Sequence, residues 1–160
     1  MPTKGKPRDE SANERADRNL SELLQELRVA LPGVQVLFAF LLTVPFTQRF
    51  ASLTGLQTDL YFVTLLSTAL TTALLVAPTA NHRMLFRKRD KERLVIVSNR
   101  LAIVGLVTLA FSMCCVVLLI SDVIFQSPVP FLATAGTILV FCALWFVVPL
   151  IRRLRMPDEP

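Results

Sequence analysis

Two sets of residues carry the chemistry open to this chain. The first is spread over three short runs: Glu22, Glu26 and Arg28; His82 and Arg83; Asn99 and Arg100. Carboxylates, guanidiniums, an amide and the only histidine suit ion pairing, a gate or a ligand site at a membrane surface. Glu26 is expected to pair with Arg83 or Arg100 if the runs meet. The simpler role of these residues is anchoring helix ends and fixing their register. His82 could sense pH, because imidazole changes charge near neutrality. Its simpler role is a polar anchor. The second set, Gln35, Thr64 and Thr68, lies inside apolar sequence. These groups could coordinate a cation weakly, but they cannot carry a proton.

The elements that position these residues are long apolar blocks. Hydrophobic residues make up 53% of the 160, and mean hydropathy is +0.56. Leu60 to Ala80, Leu101 to Ser121 and Val129 to Ile151 contain no Asp, Glu, Lys or Arg. Val29 to Phe46 is a shorter block interrupted by Pro32 and Pro45. Crossing ~30 Å of hydrocarbon takes ~20 residues of helix at ~1.5 Å each. A water-soluble bundle would need a polar face on most of its helices, and the third and fourth blocks have almost none. The expected fold is therefore all-α: an integral membrane four-helix bundle with crossings at about 29–48, 60–80, 101–121 and 130–151.

Residues 1–19 are polar and lack aromatics, so too little apolar area is available to offset chain entropy; disorder is expected. From residue 20 the pattern changes. Leu20, Leu23, Leu24, Leu27 and Leu31 form one apolar stripe with Glu22, Gln25 and Glu26 off it, which predicts an amphipathic helix leading into the first crossing. Pro32 predicts a kink near Arg28 to Gly33. Gln35, an amide in hydrocarbon, should face other helices rather than lipid. Thr64, Ser67, Thr68, Thr71 and Thr72 place hydroxyls along the second crossing, where each can bond a carbonyl one turn back. Ser98, Ala102, Gly105 and Ser112 on the third, and Ala133, Gly136 and Ala143 on the fourth, make seams for close packing. Trp145 suits an interfacial position. A short tail, 156–160, ends the chain.

Orientation follows from the cations. Six Lys or Arg precede Val29, seven lie in Asn81 to Arg100, and three follow Ile151; the other two loops hold only Arg49. The positive-inside bias then puts both termini and the basic loop in the cytoplasm of a cell membrane, beside anionic headgroups. Moving an Arg to the bilayer centre costs roughly 2.5–3.5 kcal/mol on insertion scales, which opposes a shifted register.

Other classes are poorly supported. There is no glycine-rich phosphate loop, no paired metal-ligand spacing and no nucleophile–base set, so neither catalysis nor a cofactor nor a metal is expected. Cys114, Cys115 and Cys142 fall within apolar blocks and read as small packing residues. Anionic lipid explains the basic loop more simply than nucleic acid does.

Glu22-Leu23-Leu24-Gln25-Glu26-Leu27-Arg28-Val29, Gly33-Val34-Gln35, Phe38-Ala39-Phe40-Leu41 and Pro45-Phe46 resemble a family of small actinobacterial membrane proteins of unknown function. Pro78, His82-Arg83, Phe86-Arg87, Asn99-Arg100, Trp145 and Pro149 are similar to its later positions, so the resemblance spans about Leu20 to Arg153. It implies no catalytic residue. Relatives sometimes carry an automatic label of sodium:proton antiporter. Proton and sodium carriers usually hold ionisable groups near the midplane; here Asp59 and Asp122 stand at block ends. The expected role is helix association, with a second copy or within a membrane complex. The alternative is an oligomeric cation/proton antiporter.

Overall fold

The computed structural model describes residues 12–85, 91–125 and 127–155. These form α1 (Ala12–Thr43), two 3-10 turns (Val44–Phe46 and Gln48–Ser52), α2 (Gly55–Leu85), α3 (Lys91–Ile124), α4 (Val129–Cys142), a π turn (Ala143–Val147) and α5 (Val148–Arg155). No strand occurs among the described residues. Four stretches, Asp17–Phe46, Gly55–Met84, Arg93–Ile124 and Val129–Arg152, are long and apolar enough to cross a bilayer. The molecule is an all-α membrane bundle of four crossings. Neighbouring crossings run antiparallel. The end of α1 and the starts of α2 and α4 meet the end of α3 at what we term the loop end. The opposite, terminal end carries the start of α1 and α5.

α1 begins at Ala12, so residues 12–19 are helical where disorder was expected. Charges spaced four apart extend the helix: Glu14, Arg18 and Glu22 alternate in sign, and Arg18 Nε lies 3.8 Å from Glu22 Oε1. Residues 1–11, 86–90 and 156–160 lie outside the described residues, and with them most of the segment expected to be disordered, part of the basic loop and the tail. The amphipathic segment and the first crossing are one helix with Pro32 inside it. Its inward stripe is a strict heptad: Leu20, Leu27, Val34 and Leu41 are all buried. A seven-residue spacing keeps one seam against a neighbouring helix.

α2 and α3 form the central hairpin, and their contact is the most extensive in the bundle. It has three layers. Toward the terminal end, Leu75, Ala102 and Leu109 pack with Leu27 and Val34 of α1. Toward the loop end, Tyr61 and Leu119 pack with Leu41. Between them lies a layer of hydroxyls. The Leu75 side chain fills the space over Gly105, where an added Cβ would stand 2.5 Å from Leu75 Cδ2.

The fourth crossing is attached more loosely. α4 packs on α3 and touches neither α1 nor α2 among the described residues. The expected small-residue seam is only partly used: Ala133 and Ala143 are half-buried, but Gly136 is exposed with nothing within 4 Å of an added Cβ. Gly136 lies on the outward face because the inward one is taken by Ala133, Thr134 and Thr137. Trp145, expected near the interface, is half-buried. It packs against the cluster that includes Ala102 and Leu109 of α3 and meets Phe141 edge-on at 4.7 Å. The π turn Ala143–Val147 lies directly before Pro149. A proline ring crowds the carbonyl four residues back, and a local widening relieves that clash.

Candidate functional site at the terminal end

The first set of candidate residues is only partly brought together. Glu22 and Glu26 on α1 and Asn99 and Arg100 on α3 line one open groove of about 410 Å³ with Asn19, Leu23, Val95 and Ile96. The spacing explains the shared face. Asn19, Glu22, Leu23 and Glu26 repeat every three to four residues on α1, as do Val95, Ile96, Asn99 and Arg100 on α3. The expected ion pair does not form: among the described residues, no contact within 4.0 Å joins Glu26 to Arg83 or Arg100. Glu22 instead meets Arg18 on its own helix, with both side chains more than half exposed. Such a pair contributes roughly 0.3–0.5 kcal/mol. Arg28 and Arg83 are exposed and do not line the groove, and His82 is half-buried near the end of α2. The groove thus offers two carboxylates, two amides and one guanidinium, all on exposed residues. That arrangement can dock a polar segment or headgroups, and it brings together no nucleophile–base pair.

The second set divides sharply. Thr64 and Thr68 are fully buried, together with Thr71, Ser98 and Ser112. Thr64 donates to the Leu60 carbonyl at 2.6 Å and Thr68 to the Thr64 carbonyl at 2.8 Å. Across the hairpin, Ser67 Oγ and Ser112 Oγ lie 2.7 Å apart, and Thr71 Oγ1 and Thr108 Oγ1 3.0 Å apart. Each of these hydroxyls also stands within 3.0 Å of a carbonyl on its own helix. The ladder is therefore satisfied internally, as a buried polar layer in an apolar medium requires. Only Ser98 Oγ is buried without a partner among the described residues.

Gln35 was expected to face other helices, and no helix of this chain covers it. It lies on the exposed face of α1, next to buried Val34, and makes no hydrogen bond among the described residues. The heptad stripe decides this. Once Leu27, Val34 and Leu41 point inward, Gln35 is turned ~100° away from them.

At the loop end, sequence reasoning missed a connected set of polar links. Tyr61 Oη donates to the Leu41 carbonyl at 2.9 Å. That carbonyl has lost its helical donor because residue 45 is proline. Thr54 and Gln57 form a reciprocal capping box at the start of α2, with N–H to side-chain oxygen distances of 3.0 and 3.3 Å. Gln57 Nε2 then donates to Asp122 Oδ2 at 2.8 Å, tying α2 to the end of α3. The Thr-x-x-Gln spacing and the proline four residues after Leu41 were the available signals. The partner on α3 had none.

A buried, self-satisfied helical core inside an apolar exterior defines a multi-pass membrane protein. The chain belongs to DUF6328, a family of unknown function, whose sequence profile matches residues 9–149. No curated protein and no solved structure matches it.

Proposed function

We propose that this protein is a non-catalytic component of the plasma membrane that acts by helix association, first with a second copy of itself. Both termini and the basic loop would then face the cytoplasm. The observation that carries this reading is Gln35. An unpartnered amide on an apolar, exposed helix face costs roughly 1–3 kcal/mol by protein mutational data. A symmetric partner relieves that cost, because an amide is both donor and acceptor. Contacts of this kind between membrane helices average about 0.6 kcal/mol and act together with close packing. Pro32, Ala39 and Thr43 are also exposed on this part of α1, beside the larger Val36, Phe40 and Leu42. At the terminal end, the groove of Glu22, Glu26, Asn99 and Arg100 and the cations of α3 and α5 suit cytoplasmic segments and anionic headgroups.

Two measurements test this reading. Reporter fusions after Arg155 and near Arg93 should both report the cytoplasm; an external location for either refutes the orientation. Light scattering of the full chain in mild detergent should show an oligomer that Gln35→Leu weakens. A wild-type protein that is monomeric at all concentrations refutes the association.

A further inference from the structure

The loop end holds two adjoining cavities of opposite character. One, of about 200 Å³, lies between the end of α1 and the last turns of α3 and is lined by apolar side chains including Leu41, Val44, Val116, Ile120 and Val123. The other, of about 560 Å³, is polar, with Arg49, Ser52, Thr54, Gln57, Asp122 and Ser127 around it. Arg49, Leu53 and Val123 line both, so Arg49 stands at the junction.

From this geometry we infer that the loop end binds a lipid-like amphiphile, with one chain in the apolar cavity and a phosphate-bearing zwitterionic head in the polar one. The size of the first cavity limits how many chains lie inside it. A dry cavity of ~150 Å³ admits one benzene ring, so about 200 Å³ takes a length of one acyl chain and not two. Ile120 and Ile124 are exposed on the surrounding face, so a chain enters sideways from the bilayer. The charges set the head. The Arg49 guanidinium has no ion-pair partner among the described residues, and it sits where the head of an amphiphile joins its tail. A guanidinium there matches a phosphate with two parallel hydrogen bonds. Asp122 lines only the polar cavity, and Gln57 already holds its Oδ2. Its remaining acceptor capacity complements an ammonium group farther along the head. A purely anionic head would meet repulsion from that carboxylate.

Native mass spectrometry of the full chain in non-ionic detergent, titrated with defined lipids, tests this. Monoacyl phosphatidylethanolamine should bind at least tenfold more tightly than monoacylglycerol, the range expected when a hydrogen bond to a charged group is made. Arg49→Gln should erase that difference. Asp122→Asn, which keeps an acceptor for Gln57, should erase the preference for monoacyl phosphatidylethanolamine over monoacyl phosphatidylglycerol. Ile120→Trp should fill the apolar cavity and weaken all three lipids. Unchanged helicity and melting temperature in each variant would show that folding is not the cause. Equal binding of the three lipids to the wild type overturns the proposal, as does indifference to Ile120→Trp. Displacement of the lipid by inorganic phosphate at matching concentration also overturns it, because the site would then be one for free anions.

Discussion

Gly105 on α3 and Gly136 on α4 are the same residue in two helices of the same bundle, with opposite surroundings. At Gly105 an added Cβ would run into Leu75, at 2.5 Å from Cδ2 and 3.0 Å from Cγ. At Gly136 it would meet nothing within 4 Å. The α2–α3 contact seats the Leu75 side chain over Gly105 beside a buried hydroxyl layer, whereas α4 rests on α3 with its glycine turned outward. In a bilayer, apolar side chains gain little by leaving lipid for protein, so helix association depends on packing and hydrogen bonds. The hairpin has both; the α4 contact has chiefly the first. A small residue in a membrane helix therefore marks a contact only where the facing helix comes near enough to need it.

Substitutions can break this contrast in order of expected size. Gly105→Leu should be the most damaging, because Leu75 is fully buried and has nowhere to move. Overpacking of this kind costs about 1–3 kcal/mol, read as a lowered midpoint of detergent-induced unfolding followed through Trp145 fluorescence. Tyr61→Phe should come next. It strands the Leu41 carbonyl that Pro45 already leaves without a helical donor, at a cost of about 1–2 kcal/mol. The same unfolding measurement should show the loss, and Phe62→Tyr on the exposed side should not compensate. Thr71→Val should cost only about 0.6 kcal/mol, the usual size of a contact between membrane helices. Combined with Thr108→Val, it should cost less than the sum of the two single changes, since both alter one contact. Gly136→Ala should be neutral or stabilising by up to ~1 kcal/mol, since alanine is the better helix former and no neighbour is displaced. A Gly136→Ala loss as large as that of Gly105→Leu would remove the distinction between the two contacts.

Much of the architecture was legible in the chain itself. Uncharged blocks of about twenty residues have few alternatives to crossing a bilayer, and the hydroxyls of Thr64, Thr68 and Thr71 announced a packed face through their three- and four-residue spacing. The heptad Leu20, Leu27, Val34, Leu41 was less visible, because the shorter Leu20–Leu31 stripe hid how far the seam continued. Gln35 was expected against other helices, and within one chain it is uncovered because the register set by Leu27, Val34 and Leu41 turns it outward. The charged stretch at 12–19 read as too polar to fold, yet pairs four residues apart and continuity with α1 make it helical. The Gln57–Asp122 link joins residues far apart in the chain, and no local pattern announces such a contact. Sequence likewise put Glu26 and Arg100 at one membrane level, as the groove shows, but could not set their separation.

Disulfide crosslinking in native membranes addresses the association surface most directly. In a background with Cys114, Cys115 and Cys142 changed to alanine, Gln35→Cys should crosslink two copies efficiently. Val34→Cys, one residue away and buried at 1% exposure, should not. Crosslinking of Val34→Cys as readily as Gln35→Cys, or of neither, would contradict an interface built on the outer face of α1.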